Sequence, residues 1–162
     1  MGAIVELRLL GPVELIGRDG LIRLGGPHRR AIVAQLALNE GQTVTTDELI
    51  EGLWADAAPA NARKSLSTQV AQVRRTLAEI DARLEHTGGG YRLDLPPGSL
   101  DLHRFEQAER AAAELAAAGH TTRAIQRQRE GLGCWHGPPL ADLARFPFAT
   151  TAASWLLPRH HA

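Results

Sequence analysis

The segment Ala58–Ile80, APANARKSLSTQVAQVRRTLAEI, combines a helical period with a one-sided charge. At about 100° per residue, Leu66, Val70, Val73, Leu77 and Ile80 fall in one stripe, the three- and four-residue spacing of a helix face that must be buried. Lys64, Thr68, Ala71, Gln72 and Arg75 then look outward, with Asn61 beside them and Arg63, Ser67 and Arg74 on one flank. No acid occurs between Asp56 and Glu79, so Arg63, Lys64, Arg74 and Arg75 stand unopposed in sequence. Hydroxyls, amides and cations on one helix face are the groups that touch bases and phosphates in a DNA major groove. A merely solvated face is the alternative. Against it stands the composition: 18 basic and 18 acidic residues leave the chain formally neutral, so a local excess of +4 is balanced by −4 elsewhere. A neutral protein meets a polyanion through one positive element. The segment, taken as 59–80, reads as a recognition helix.

Bulk properties narrow the class. At 162 residues and 44% hydrophobic, the chain can bury one core and part of another. Three Trp, three Phe and one Tyr are too few for an extended base-stacking surface, which favours duplex over single-stranded nucleic acid. Cys134 stands alone, excluding an intrachain disulfide and a cysteine-based zinc site, and fits a reducing cytoplasm. The opening MGAIVELRLL is no signal peptide, no apolar run reaches the roughly 20 residues of a membrane span, and Glu6 occupies the hydroxyl position of a myristoylation signal. These observations predict a soluble cytoplasmic protein with no membrane partner, metal or cofactor.

Along the chain, Val5, Leu7 and Leu9 alternate with Glu6, Arg8 and Leu10 as a half-buried strand that Gly11-Pro12 stops. A strand at 13–16, a hairpin turn at Gly17-Arg18-Asp19-Gly20 and a strand at 21–24 complete a small antiparallel sheet. Pro27 suits the first turn of a helix over His28–Asn39 that places Ile32, Val33 and Leu36 on one side. Thr45-x-x-Glu48 is a capping box opening a second helix with Leu49, Ile50, Leu53 and Trp54 spaced for burial. After the basic helix, extended runs at 84–87 and 91–95 flank Gly88-Gly89-Gly90 as a β-hairpin. Pro96-Pro97-Gly98-Ser99 reads as a short semi-rigid linker. Beyond it, Asp101 is placed as the cap of a helix presenting Leu102, Phe105, Ala108, Ala112 and Leu115, and a helix over Thr121–Leu132 shows Ala124, Ile125 and Leu132 on one face.

The runs LRLLGPVEL, LGGPHRRAIVAQLALNEGQTVTTDELIEGLW, NARKSLSTQVAQVRRTL and GGGYRLDL together resemble the OmpR-type winged helix-turn-helix carried by the Streptomyces antibiotic regulatory protein family. DLHRFEQAERAAAELAAAGHTTRAIQRQREGLGCWHGPPLADL resembles the opening of the bacterial transcriptional activation domain that follows it in that family. The resemblance implies an α+β winged helix-turn-helix over 1–97, with an N-terminal antiparallel sheet, three helices and a C-terminal β-hairpin wing. An all-α, repeat-like partial domain follows over 98–162. It further implies a sequence-specific, double-stranded DNA-binding transcription regulator, an activator of a biosynthetic gene cluster, with the third helix in the major groove and the wing, 84–95, in the minor groove. Direct-repeat sites, tandem protomers on DNA and contact with RNA polymerase belong to the same expectation. By position, Asn61, Arg63, Lys64, Ser67, Thr68, Gln72, Arg74 and Arg75 match the family's recognition helix, and His86, Thr87, Tyr91 and Arg92 match its wing. Within that set, geometry assigns Lys64, Thr68 and Gln72 to bases and Arg63, Arg74 and Arg75 mainly to phosphates. The family pattern runs on for several more helices than FPFATTAASWLLPRHHA supplies, so the helical part is expected to be truncated and loosely packed. Two alternatives follow: a protein-interaction module, or a non-activating competitor of longer relatives.

Cys134, His136 and Asp142 have the composition of a nucleophilic site but lie beside Gly137-Pro138-Pro139 with no oxyanion-hole element, so no enzyme is expected. Gly88–Gly90 lacks the following Lys and hydroxyl of a phosphate-binding loop and reads as a turn. His160-His161 is a short tail rather than a metal tract, and Trp54 and Trp135 read as core.

Overall fold

The computed structural model describes residues 4–78 and 80–162, the side chains of residues 4 and 5 excepted, so the inward placement expected of Val5 lies outside the described residues. Strands β1 (Ile4–Arg8), β2 (Glu14–Gly17) and β3 (Gly20–Ile22) form an antiparallel meander. Gly17 pairs with Gly20, leaving Arg18-Asp19 as the two-residue turn expected there. Leu7, Leu9 and Leu10 are all buried, and so is Glu6. The simple alternation expected of this strand therefore fails at Glu6 and Leu10, because the C-terminal half of the chain covers its second face. Burial works to raise the Glu6 carboxyl, but the guanidinium groups of Arg8 and Arg104 outweigh it and hold the group below its ordinary value.

Helix α1 (Pro27–Leu38) begins one residue earlier than expected, with proline in its first turn. Ala31 through Ala37 are buried without interruption rather than on one side. α1 is the central pillar, touching α2 (Thr46–Trp54), α3 (Ala62–Leu77) and the wing at once. The Thr45 hydroxyl accepts from the Glu48 amide at 3.1 Å and the Glu48 carboxylate from the Thr45 amide at 2.8 Å, which is the capping box. A 3-10 turn, Ala55–Ala57, precedes α3.

The wing is a sheet of three strands, with β4 (Val44–Thr45) unforeseen in the sequence, β5 (Arg83–Thr87) and β6 (Gly90–Asp94), in the order β4-β6-β5. Gly88 and Gly89 make the turn with φ of 43° and 91°, a left-handed pair that matches strand twist. Gly90 serves differently: a Cβ there would lie 2.2 Å from the Val44 carbonyl oxygen, so the β4–β6 approach requires its absence.

The expected linker is stitched down. Leu7 donates its amide to Ser99 O at 2.7 Å and pairs with Leu100 in a parallel bridge. Asp101 is not the cap of α4 (Asp101–Ala117); that position falls to Leu100. The fully buried Asp101 carboxylate instead accepts from the amides of Leu9 at 2.9 Å, Leu10 at 3.0 Å and Leu102 at 2.8 Å, pinning the helix to the end of β1. α5 (Thr121–Leu132) packs antiparallel on α4 through Ala124 and Gly131, while Ile125 and Leu132, which share a face with Ala124 in the sequence, are exposed. The chain then returns to the first half. His136 donates its amide to Leu10 O, Leu140 to Leu9 O, and the Asp142 carboxylate accepts from the Val13 amide and the Arg30 guanidinium. After a 3-10 turn, Ala141–Leu143, helix α6 (Pro147–His161) lies along α2 with Ala149, Ala152 and Leu156 buried. The loosely packed end expected from the sequence is thus a well-seated helix, and one hydrophobic cluster runs from Leu7 through Val73 and Phe105 to Leu156.

Candidate nucleic-acid interface

All five stripe residues, Leu66, Val70, Val73, Leu77 and Ile80, are buried, although Ile80 lies beyond the last turn. The helical part of the expected 59–80 element is Ala62–Leu77: residues 59–61 form a turn that delivers Asn61 to the N-cap position, exposed and without a side-chain capping bond. Opposite the stripe, Arg63, Lys64, Ser67, Thr68, Arg74 and Arg75 are exposed and Gln72 is half-buried. α3 also holds Arg74 and Arg75 in its last turn, where cations suit the negative end of the helix dipole.

Three side chains on this face carry local contacts. Arg63 pairs with Asp47 of α2 at 2.5 Å, both groups well exposed, so the pair is weak and open to exchange for a phosphate. Arg74 donates Nε–H to Leu84 O at 3.2 Å, bracing the helix against the wing. The Thr68 hydroxyl donates to Lys64 O at 3.0 Å, which leaves its oxygen free to accept. Among the described residues no acid pairs with Lys64 or Arg75.

The wing is set beside α3 by contacts that sequence reading missed. Gly89 O accepts from the Thr46 amide at 3.0 Å and its hydroxyl at 3.1 Å, and the Thr43 and Thr87 hydroxyls bond at 2.8 Å. The wing tip is thereby fastened to the start of α2. Of the wing residues expected to contact DNA, His86 is exposed and Thr87 half-buried, but Tyr91 is 8% exposed, its ring under that of His86 at 4.9 Å. Tyr91 is a packing residue whose burial follows from its inward register on β6. Arg92 is flanked by Glu85 at 2.6 Å and Asp94 at 3.3 Å, so its charge is compensated. With Arg83 exposed on β5, the hairpin carries two arginines against two acids, and the net positive charge of the interface resides in α3.

The residues weighed as a nucleophilic site serve the packing. Burial pushes the Cys134 thiol up, away from the thiolate, and the Asp142 carboxylate is engaged by Val13 and Arg30. Among the described residues no group of His, Cys, Asp and Glu has the geometry of a metal site, and no helix is long and apolar enough to cross a membrane.

Residues 22–93 match the family described as transcriptional regulatory protein, C terminal, and residues 100–160 match the bacterial transcriptional activator domain. The chain is 36% identical over 149 residues to the transcriptional regulatory protein MoaR1 of Mycobacterium tuberculosis, covering 89% of this chain and 48% of that protein. It is 35% identical over 149 residues to the transcriptional regulator RedD of Streptomyces coelicolor, covering 87% of this chain and 42% of RedD. A solved structure of Mycobacterium tuberculosis EmbR in complex with a low affinity phosphopeptide superposes with a TM-score of 0.93 at 31% identity, over 99% of this chain and 43% of that one. The chain thus spans less than half the length of these relatives. An OmpR-type winged helix followed by a bacterial transcriptional activator domain, with this identity to MoaR1 and RedD, places the chain in the Streptomyces antibiotic regulatory protein family.

Proposed function

We propose that the chain is a sequence-specific double-stranded DNA-binding transcription regulator that activates by contact with RNA polymerase in the cytoplasm. The observation that carries this reading is the outer face of α3, where Lys64, Thr68 and Arg75 stand exposed opposite a fully buried stripe, with the wing fastened alongside. Lys64, Thr68 and Gln72 read base edges in the major groove. Arg63, Arg74 and Arg75 bind phosphates, with Asn61 and Ser67 at the flank. His86, Thr87 and Arg92 approach the minor groove, and Tyr91 supports His86 from beneath. Tandem protomers on direct repeats suit a chain whose DNA face is one asymmetric element. The border at 97/98 separates the DNA-contacting part from the helical part in function, while the packing across it is continuous.

The test is selection from a randomised duplex pool followed by binding at graded salt. Enrichment of a short repeated motif, with log K falling against log salt by several units, supports the reading. Absence of retention at low salt removes DNA from it.

A further inference from the structure

An open groove of about 860 Å³ runs between α2 and α6, on a part of the molecule that the DNA reading does not use. One rim carries Asp47, Glu48 and Glu51 of α2, and among the described residues lining the groove there is no Lys, Arg or His. The other wall is apolar, with Phe148, Ala152 and Trp155 of α6. Trp155 is 44% exposed, a large aromatic left without cover. The floor holds a second, independent sign of an occupant. Gln35 is 6% exposed and its Oε1 is buried without a hydrogen-bond partner. Its amide lies where a side chain on Gly52 would be, 1.9 Å from the position of a Cβ there, so the missing side chain of Gly52 is what gives the amide its place beside the groove. Gln35 lines the groove, so a small shift of its amide brings the unpaired oxygen to a donor arriving from outside. A buried polar group without a partner is costly, and a ligand that supplies the donor recovers that cost.

We infer that this groove docks a basic amphipathic helix of a protein partner, with an aromatic or aliphatic side chain against Trp155 and Phe148, cations along the α2 rim and one donor at Gln35. The acidic rim repels the phosphates of nucleic acid and selects cations. The nine residues of α2 give a wall of roughly 13 Å, two to three turns of a docking helix. Exposed aromatics in partly enclosed clefts are the anchors on which such interfaces depend. Asp47 is shared with Arg63 and Glu48 with the capping box, so Glu51 is the carboxylate left free for the partner. The inference does not depend on DNA binding and stands or falls by itself.

Phage-displayed random 15-residue peptides panned against the full chain provide the test, with fluorescence anisotropy of the enriched peptides on wild type, Glu51→Lys, Trp155→Ala and Gln35→Leu. Enriched sequences are expected to place Lys or Arg and Leu, Phe or Trp at three- and four-residue spacing. Binding is expected to weaken at least tenfold in each variant, with the thermal midpoint unchanged for the two surface variants and raised for Gln35→Leu, which removes an unpaired buried acceptor. No enrichment, enrichment of neutral or acidic peptides, or affinities indifferent to these variants overturns the inference. Competition by duplex DNA, or self-association abolished by Trp155→Ala in sedimentation, assigns the groove to a different occupant and overturns it equally.

Discussion

Among the cations of α3, two that look alike in sequence differ in what else they hold. Arg75 is exposed and unpaired among the described residues, whereas Arg74 also braces the wing through Leu84 O. Arg75→Ala is therefore expected to weaken binding to every duplex by a similar factor and to lower the salt slope by about one unit. Lys64→Ala should relax preference at one base position, and equal loss on all sequences would sink its base-reading role. Asp101 answers to a different measurement. Burial raises its carboxyl above the ordinary value, against the pull of three amide donors. The folded state therefore takes up this proton at higher pH than the unfolded chain, whose ordinary value is 3.8. This contribution is present at low pH and is lost as pH rises through the raised folded value. Glu6, with its carboxyl lowered, acts in the opposite sense, so the measurement must be a difference. Asp101→Asn removes one acceptor from the Leu9–Leu10 pair and should destabilise by about 1–3 kcal/mol at neutral pH. In urea melts the gap to wild type should widen as pH falls from 7 towards 4, and a constant gap would exclude Asp101 as the titrating group.

At the scale of elements, the wing depends on glycines of two kinds. Gly89→Ala places a side chain at φ 91°, in open space, and should cost about 1–2 kcal/mol in thermal unfolding. Gly90→Ala drives a Cβ into the Val44 carbonyl and should cost about 3 kcal/mol, with loss of amide-exchange protection at Val44 and Tyr91. A larger effect from Gly89→Ala would reverse the assignment. The same comparison shows what the sequence made legible. The stripe of α3, the capping box at Thr45 and the Gly88-Gly89 turn are local signals, each decided within a few residues, and each appears as expected. β4 is two residues long and exists only through its pairing with β6, a contact far along the chain. α6 is not legible in the sequence because its buried positions at i, i+3 and i+7 are Ala149, Ala152 and Leu156, with Pro158 inside the helix, so small residues disguise the stripe. For the interface, exposure of the α3 cations followed from periodicity. The burial of Tyr91 and the compensation of Arg92 depend on strand register and on neighbours that spacing does not reveal.

Over the whole molecule, the two family regions share a single core. The Leu9–Leu10 segment just past β1 gives its amides to Asp101 of α4 and its carbonyls to Leu140 and His136, and α6 closes against α2, so Leu9 and Leu156 belong to one cluster. A chain with two independent cores would unfold in two steps, whereas a shared core makes each half the solvent boundary of the other. Leu156 is fully buried at the far end of that core, more than 140 residues from Leu9 in sequence. Its truncation to alanine should destabilise by about 2–5 kcal/mol, as for other large-to-small core changes. Because the core is shared, Leu156→Ala should lower the midpoint of one common urea transition, followed both by tryptophan fluorescence, which reports Trp54, Trp135 and Trp155, and by far-ultraviolet dichroism. If α6 and α4–α5 formed a separate unit, the variant would instead split the curve, melting the helical half first and leaving the winged helix intact. The position of α6 against α2 also means that this loss reaches the DNA face: α2 holds the wing tip through Thr46 and meets α3 through Asp47. Duplex affinity of Leu156→Ala should therefore fall in step with the folded fraction as temperature is raised, and DNA binding that survives melting of α6 would show that the two halves are not coupled.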